Sequence, residues 1–115
     1  MTIAGNYITG SAQVYASGVL ISGGLCNAPL SRSSYSGMVV LCLRGNGTFA
    51  SKTLNVQSSG GVAIVIYNNV AGNFRGTLAS TSTIPAISIS KAFGEYLIND
   101  KVDRGLVAKV TAKRI

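Results

Sequence analysis

The stretch Arg44-Gly45-Asn46-Gly47-Thr48-Phe49-Ala50-Ser51-Lys52-Thr53 has the ingredients of a phosphate-binding loop: it follows an apolar run, holds two glycines and closes on Lys-Thr. Such a loop needs a glycine directly before the lysine and another five residues earlier, so that backbone N–H groups can close around the anion. Ser51 and Asn46 stand at those positions, and nucleotide binding is not expected. Acid–base catalysis is limited further by what the chain lacks. With no histidine, neither a Ser-His-Asp triad nor a Cys-His pair can be assembled within it. Its three carboxylates are Glu95, Asp100 and Asp103, and the last two lie in a polar Asn-Asp-Lys-Val-Asp-Arg stretch that reads as a solvated turn. No catalytic residue is therefore assigned.

Cys26 and Cys42 are too few soft ligands for a structural zinc site without histidine, so neither metal nor cofactor is expected. They either close a disulfide loop, worth ~3 kcal/mol in chain-entropy terms, or remain two buried free thiols of a cytosolic protein. The disulfide, with an oxidising extracellular compartment, is the expectation.

The formal net charge of +7 invites a nucleic-acid reading. The basic residues Arg32, Arg44, Lys52, Arg75, Lys91, Lys101, Arg104, Lys109, Lys113 and Arg114 are spread along the chain, and the imbalance comes from scarce acids. A solvated basic surface follows, with no nucleic-acid partner. Val62 to Tyr67, the longest apolar run, is far shorter than the ~20 residues of a bilayer span, so no membrane partner is expected either. The opening Met-Thr-Ile-Ala-Gly-Asn-Tyr has no basic and h-region pattern, and no signal peptide is expected in it.

These side chains must be positioned by a small set of elements. At 115 residues the size prior gives one domain able to bury its own core. Alternation at Ala12, Val14 and Ala16 predicts a first strand, and Val19 to Ile21 a second. Met38 to Leu43 is a continuous apolar run, as in a strand buried on both faces. Thr48 then caps a helix carrying Phe49, Thr53 and Val56, stopped by Gly60-Gly61. The β-branched run from Val62 to Tyr67 and the segment Ala86 to Ile89, opened by Pro85, predict two further core strands. Ser90 caps a second helix bearing Phe93 and Leu97 and ending near Asn99. Leu106 to Thr111 alternates as a closing strand. The sum is an α+β domain with one mixed sheet or partly closed β-barrel and two small helices.

The same residues carry a resemblance. An apolar strand ends in Arg44-Gly45, Phe49 and then Lys52 follow, Gly60-Gly61 pair, an isoleucine-rich strand ends in Tyr67-Asn68, and Ile84-Pro85 opens the next strand. This series, over about residues 24–111, resembles the protease-associated (PA) domain, particularly as inserted in secreted subtilisin-like serine proteases. One departure is Ser58-Ser59-Gly60-Gly61, where the family usually has an alanine before its glycine. The resemblance implies a swivelling β/β/α fold for the whole chain, 1–115, and places Cys26 and Cys42 where such insertions can form a disulfide. It makes the Arg44–Thr53 stretch architectural, with Phe49 plugging the core and Lys52 on the helix surface. It also implies a non-catalytic accessory domain that controls substrate access or protein contacts beside the catalytic domain of a secreted serine peptidase. The alternative it implies is a cargo- or ligand-binding module of a sorting receptor or metallopeptidase. Protein or peptide substrates are the expected partners. The loop after the isoleucine-rich strand, with Asn68, Asn69, Asn73, Phe74 and Arg75, is the candidate contact surface, because Phe74 and Arg75 offer an aromatic and a bidentate cation without an evident core role. Asn46-Gly47-Thr48 is a candidate N-glycosylation sequon.

Overall fold

Val39, Val40, Leu41 and Cys42 are all buried, and so are Ala63 to Ile66 and Ala86 to Ile89. Strands without a polar face must be covered on both sides, and that requirement organises the domain. The computed structural model describes residues 1–28, 34–79 and 81–112. Its elements are β1 (Thr2–Ile3), β2 (Asn6–Tyr7), β3 (Tyr15–Gly24), β4 (Val39–Leu43), α1 (Phe49–Ser58), β5 (Ala63–Tyr67), β6 (Ala86–Ile89), α2 (Lys91–Asp100) and β7 (Val107–Thr111). Arg32, Lys113, Arg114 and part of the polar loop 31–37 lie outside the described residues.

The strands form one mixed sheet in the order β1-β7-β3-β4-β5-β6-β2, a half-barrel with one helix on each face. Strands β3 to β6 run parallel, with Val39 opposite Ala63 and Leu43 opposite Tyr67 in the central pair. Alternate side chains of the central strands enter two cores. Val39, Leu41, Val65 and Ile87 pack with Leu97 of α2 and with Ala108 and Val110 of β7. Val40, Ile64, Ile66 and Cys42 pack with Val56 of α1 and with Phe74, Leu78 and Ile84 of the β5–β6 connection.

Both helices start where their capping residues stand. Thr48 Oγ1 accepts the Ser51 N–H at 3.0 Å, and Ser90 Oγ accepts the Phe93 N–H at 3.1 Å. Each bond satisfies one of the donors a helix N-terminus leaves unpaired. In β7, Ala108 and Val110 are buried while Val107, Lys109 and Thr111 face out, as the alternation requires.

The N-terminal third differs from the sequence expectation. In place of two strands at 12–16 and 19–21 there is one long strand, β3, whose first half pairs antiparallel with β7 and whose second half pairs parallel with β4. Between the two expected strands lies Gly18, where a Cβ would stand 2.1 Å from the Gly37 carbonyl oxygen. The glycine permits close approach of two backbones within a continuous strand. Strands β1 and β2, two residues each, are too short to show any periodicity and cap the outer edges of the sheet.

Candidate functional site

The C-terminal ends of β4 and β5 bring together the residues that the sequence scattered. Cys26, just past β3, is bonded to Cys42 of β4. Beside this bond the Lys52 side chain is completely buried, which corrects the expectation of a surface lysine. Its ammonium donates to the carbonyls of Leu25 at 2.5 Å and Gly45 at 2.7 Å, and to Asn27 Oδ1 at 2.9 Å. Three donors meet three oxygens, so the charge is held without a carboxylate. Burial pushes the lysine pKa below its ordinary value. Asn27 turns its amide nitrogen to the Asn46 carbonyl at 2.6 Å, and Asn55 Nδ2 donates to the Cys26 carbonyl at 2.9 Å. The loop around Cys26, the turn after β4 and helix α1 are thereby fastened to one another. Asn46 itself is exposed, within reach of solvent as a sequon asparagine must be.

A second cluster lies one strand over. The Arg44 guanidinium stands 4.6 Å from the Phe74 ring centroid and 5.6 Å from that of Phe49, and these two rings stack at 5.3 Å. Its Nη1 donates to Asn68 Oδ1 at 3.1 Å. Asn68 is buried, donates to the Gly72 carbonyl at 2.9 Å and accepts the Asn69 N–H at 3.0 Å, so it shapes the start of the loop. Phe74 is only 8 % exposed. The view that it lacks a core role is therefore corrected: the ring fills the space between Phe49 and Arg44, where aromatic stacking and the cation–π contact both favour it. Asn69, Asn73 and Arg75 remain exposed, and Asn73 and Arg75 line a shallow depression with Asn6.

Sequence reasoning passed over a further cleft, of about 290 Å³, between α2 and the chain leaving β5, lined among others by Tyr67, Asn69, Lys91, Glu95 and Ile98. Burial raises the Tyr67 phenol pKa, and the Glu95 carboxylate adds to the rise. Lys91 and Glu95 stand four apart on one helix face, a spacing that could have drawn attention to this wall. Among the described residues no group of three His, Cys, Asp or Glu side chains could hold a metal ion, and no helix is long and apolar enough to cross a membrane. The surface offers hydrogen-bond donors, acceptors and cations, which suits binding. Asp100 and Asp103 are exposed, in keeping with a solvated turn.

Known proteins agree with this fold. The chain is 35 % identical over 68 residues to "Probable leucine aminopeptidase 2" of Aspergillus fumigatus, covering 55 % of this chain and 14 % of that protein. It is 31 % identical over 64 residues to the minor extracellular protease Vpr of Bacillus subtilis, covering 56 % of this chain and 8 % of that protein. The chain thus spans a small part of the length of either relative. Among solved structures, an aminopeptidase from Aneurinibacillus sp. strain AM-1 superposes with a TM-score of 0.82 at 28 % identity, over 96 % of this chain and 28 % of that one. BSAP, a zinc aminopeptidase from Bacillus subtilis, gives 0.73 at 23 % identity, over 90 % of this chain and 29 % of that one. The subtilisin-like protease Apa1 from Pseudoalteromonas sp. AS-11 gives 0.53 at 16 % identity, over 88 % and 26 %. The description "PA domain" matches residues 9–97, and with that span of the seven-stranded half-barrel accounted for, the chain belongs to the PA domain family.

Proposed function

We propose that this PA domain is a non-catalytic accessory module of a secreted peptidase, and that the parent is an aminopeptidase in preference to a subtilisin-like protease. The observation that carries the choice is the 28 % identical aminopeptidase match, which spans 96 % of this chain. The 31 % identical stretch of an extracellular protease keeps a secreted endopeptidase as the second reading. The disulfide between Cys26 and Cys42 supports an extracellular location. In this role the domain limits or guides large substrates at the mouth of the parent's active site. Its contacts come from the exposed Asn69, Asn73 and Arg75, while Asn68 and Phe74 hold the loop in shape from beneath.

The test is made in the full polypeptide that carries the domain. The variant Asn69→Ala/Asn73→Ala/Arg75→Ala should change kcat/KM on long polypeptides several-fold and leave small chromogenic substrates nearly unaffected. Equal effects on both substrate classes would remove the loop from substrate control. Release of N-terminal residues, abolished by a metal chelator, supports the aminopeptidase parent. Internal cleavage blocked by a serine-directed reagent would transfer the domain to the second reading.

A further inference from the structure

Asn46-Gly47 is the one Asn-Gly pair in the chain, and the architectural role of the turn does not account for its chemistry. We propose that Asn46 is a self-modifying site, where the main-chain nitrogen of Gly47 attacks the Asn46 side-chain amide, and that Asn27 and Lys52 are positioning residues for this reaction.

Both residues of the pair are exposed, and Asn46 has a left-handed φ of 53°. Among the described residues the Gly47 N–H has no hydrogen-bond acceptor, so no bond must be broken to expose the nitrogen. A Cβ at position 47 would stand 2.7 Å from Asn27 Oδ1, so the glycine lets the Asn27 amide lie against this turn without being displaced. The carbonyl of the same peptide unit, Asn46 O, accepts Asn27 Nδ2 at 2.6 Å, and Asn27 Oδ1 accepts the buried Lys52 ammonium at 2.9 Å. Cation, amide and peptide carbonyl thus form one polarised chain, in which each hydrogen bond strengthens the next. Loss of the Gly47 proton moves negative charge onto Asn46 O by amide resonance. That oxygen already faces a donor primed by a cation, as in an oxyanion hole.

The steps balance without an oxidant or cofactor. Solvent takes the Gly47 N–H proton, the nitrogen bonds to Asn46 Cγ, and the bond from Cγ to Nδ2 breaks as solvent returns a proton to the departing nitrogen, which leaves as ammonia. Water then opens the resulting succinimide at either ring carbonyl, leaving aspartate or isoaspartate at position 46. The net charge falls by one from +7. In the isoaspartate product the main chain gains one carbon at the turn whose carbonyls hold Lys52 and Asn27, which loosens the fastening between the disulfide loop and α1. A glycan on Asn46 Nδ2 would alter the same leaving group and protect the site.

The experiment follows the mass gain of deamidation at residue 46 by peptide mapping, in the intact chain from a non-glycosylating host and in a synthetic peptide spanning residues 42–53. The folded chain should react at least about threefold faster than the peptide, equivalent to a barrier lower by about 0.7 kcal/mol. Asn27→Ala, confirmed as folded by circular dichroism, should fall towards the peptide rate. A folded chain no faster than the peptide would overturn the proposal, and so would a folded Asn27→Ala chain as fast as the wild type. If Asn27→Ala does not fold, the comparison of chain with peptide decides alone.

Discussion

Replacing Lys52 by methionine separates a buried, caged ammonium from an ordinary helix-surface lysine. Methionine keeps the unbranched stem and removes the charge, so packing changes little while the donors vanish. Three oxygens lose their partner: Leu25 O, Gly45 O and Asn27 Oδ1. Asn27 is exposed, so water can replace the lysine at its side chain. The two carbonyls around the buried site are left unpaired, at about 1–3 kcal/mol each. The variant is spared the desolvation of an ammonium, which offsets part of the loss. The net destabilisation is about 2–4 kcal/mol, or a melting temperature lower by roughly 10 °C or more for a domain of this size. Urea unfolding of oxidised protein measures it as a fall in midpoint with the slope unchanged. A change within about 0.5 kcal/mol, the range of surface substitutions, would refute the cage and return Lys52 to the helix surface.

Three further outcomes follow from the packing. Because burial lowers the folded pKa of Lys52, the unfolded chain binds more protons just below the ordinary value of 10.5, so this residue's contribution to stability rises as pH climbs through that window. Tyr35 and Tyr67, with raised pKa values, contribute in the opposite sense: their stabilisation is present below 10.0 and lost above it, so the lysine component is read as the difference between wild type and Lys52→Met across the alkaline range. Phe74→Ala should destabilise by about 3–5 kcal/mol in urea unfolding, whereas Arg75→Ala should stay within about 0.5 kcal/mol. Gly94→Ala puts a Cβ 2.2 Å from Tyr67 Cβ, so overpacking of about 1–3 kcal/mol should outweigh the better helix propensity of alanine and lower the melting temperature.

The legible parts of the fold are those whose signal is local. The core strands show as apolar runs because both of their faces are covered, and the helices show through Thr48 and Ser90 because a cap acts within three residues. Strands β1 and β2 were not legible, since two residues have no period and their pairing is decided by edges made elsewhere in the chain. Phe74 was misjudged for a related reason: its neighbours Phe49 and Arg44 are distant in sequence, and nothing in the loop itself reveals them. Lys52 is different, because its signal was present. Phe49, Lys52, Thr53 and Val56 stand at i, i+3, i+4 and i+7, the spacing of a buried helix face. Charge argued against burial, and the argument is reversed by Gly45 O of the preceding turn together with Leu25 O and Asn27 Oδ1 of a loop remote in sequence.

Those oxygens also explain why the turn looks like a phosphate loop and does not act as one. A phosphate loop directs N–H groups inward, at an anion. Here Gly45, at φ 123°, presents its carbonyl to an ammonium supplied by the same chain. The sequence ingredients are shared because both devices need glycines to bend the backbone around a point charge and a lysine on the helix that follows. The sign of that charge depends on which way the peptide planes face, a property that residue types alone leave undetermined. With the ammonium already surrounded by Leu25 O, Gly45 O and Asn27 Oδ1, its three donors are spent within the domain. A phosphate would have to displace them, so mutating Ser51 to the glycine of the nucleotide motif should not create nucleotide binding. Titration of Ser51→Gly with a nucleoside triphosphate should show no saturable binding, and a saturable signal lost in Lys52→Met would overturn this assignment of polarity.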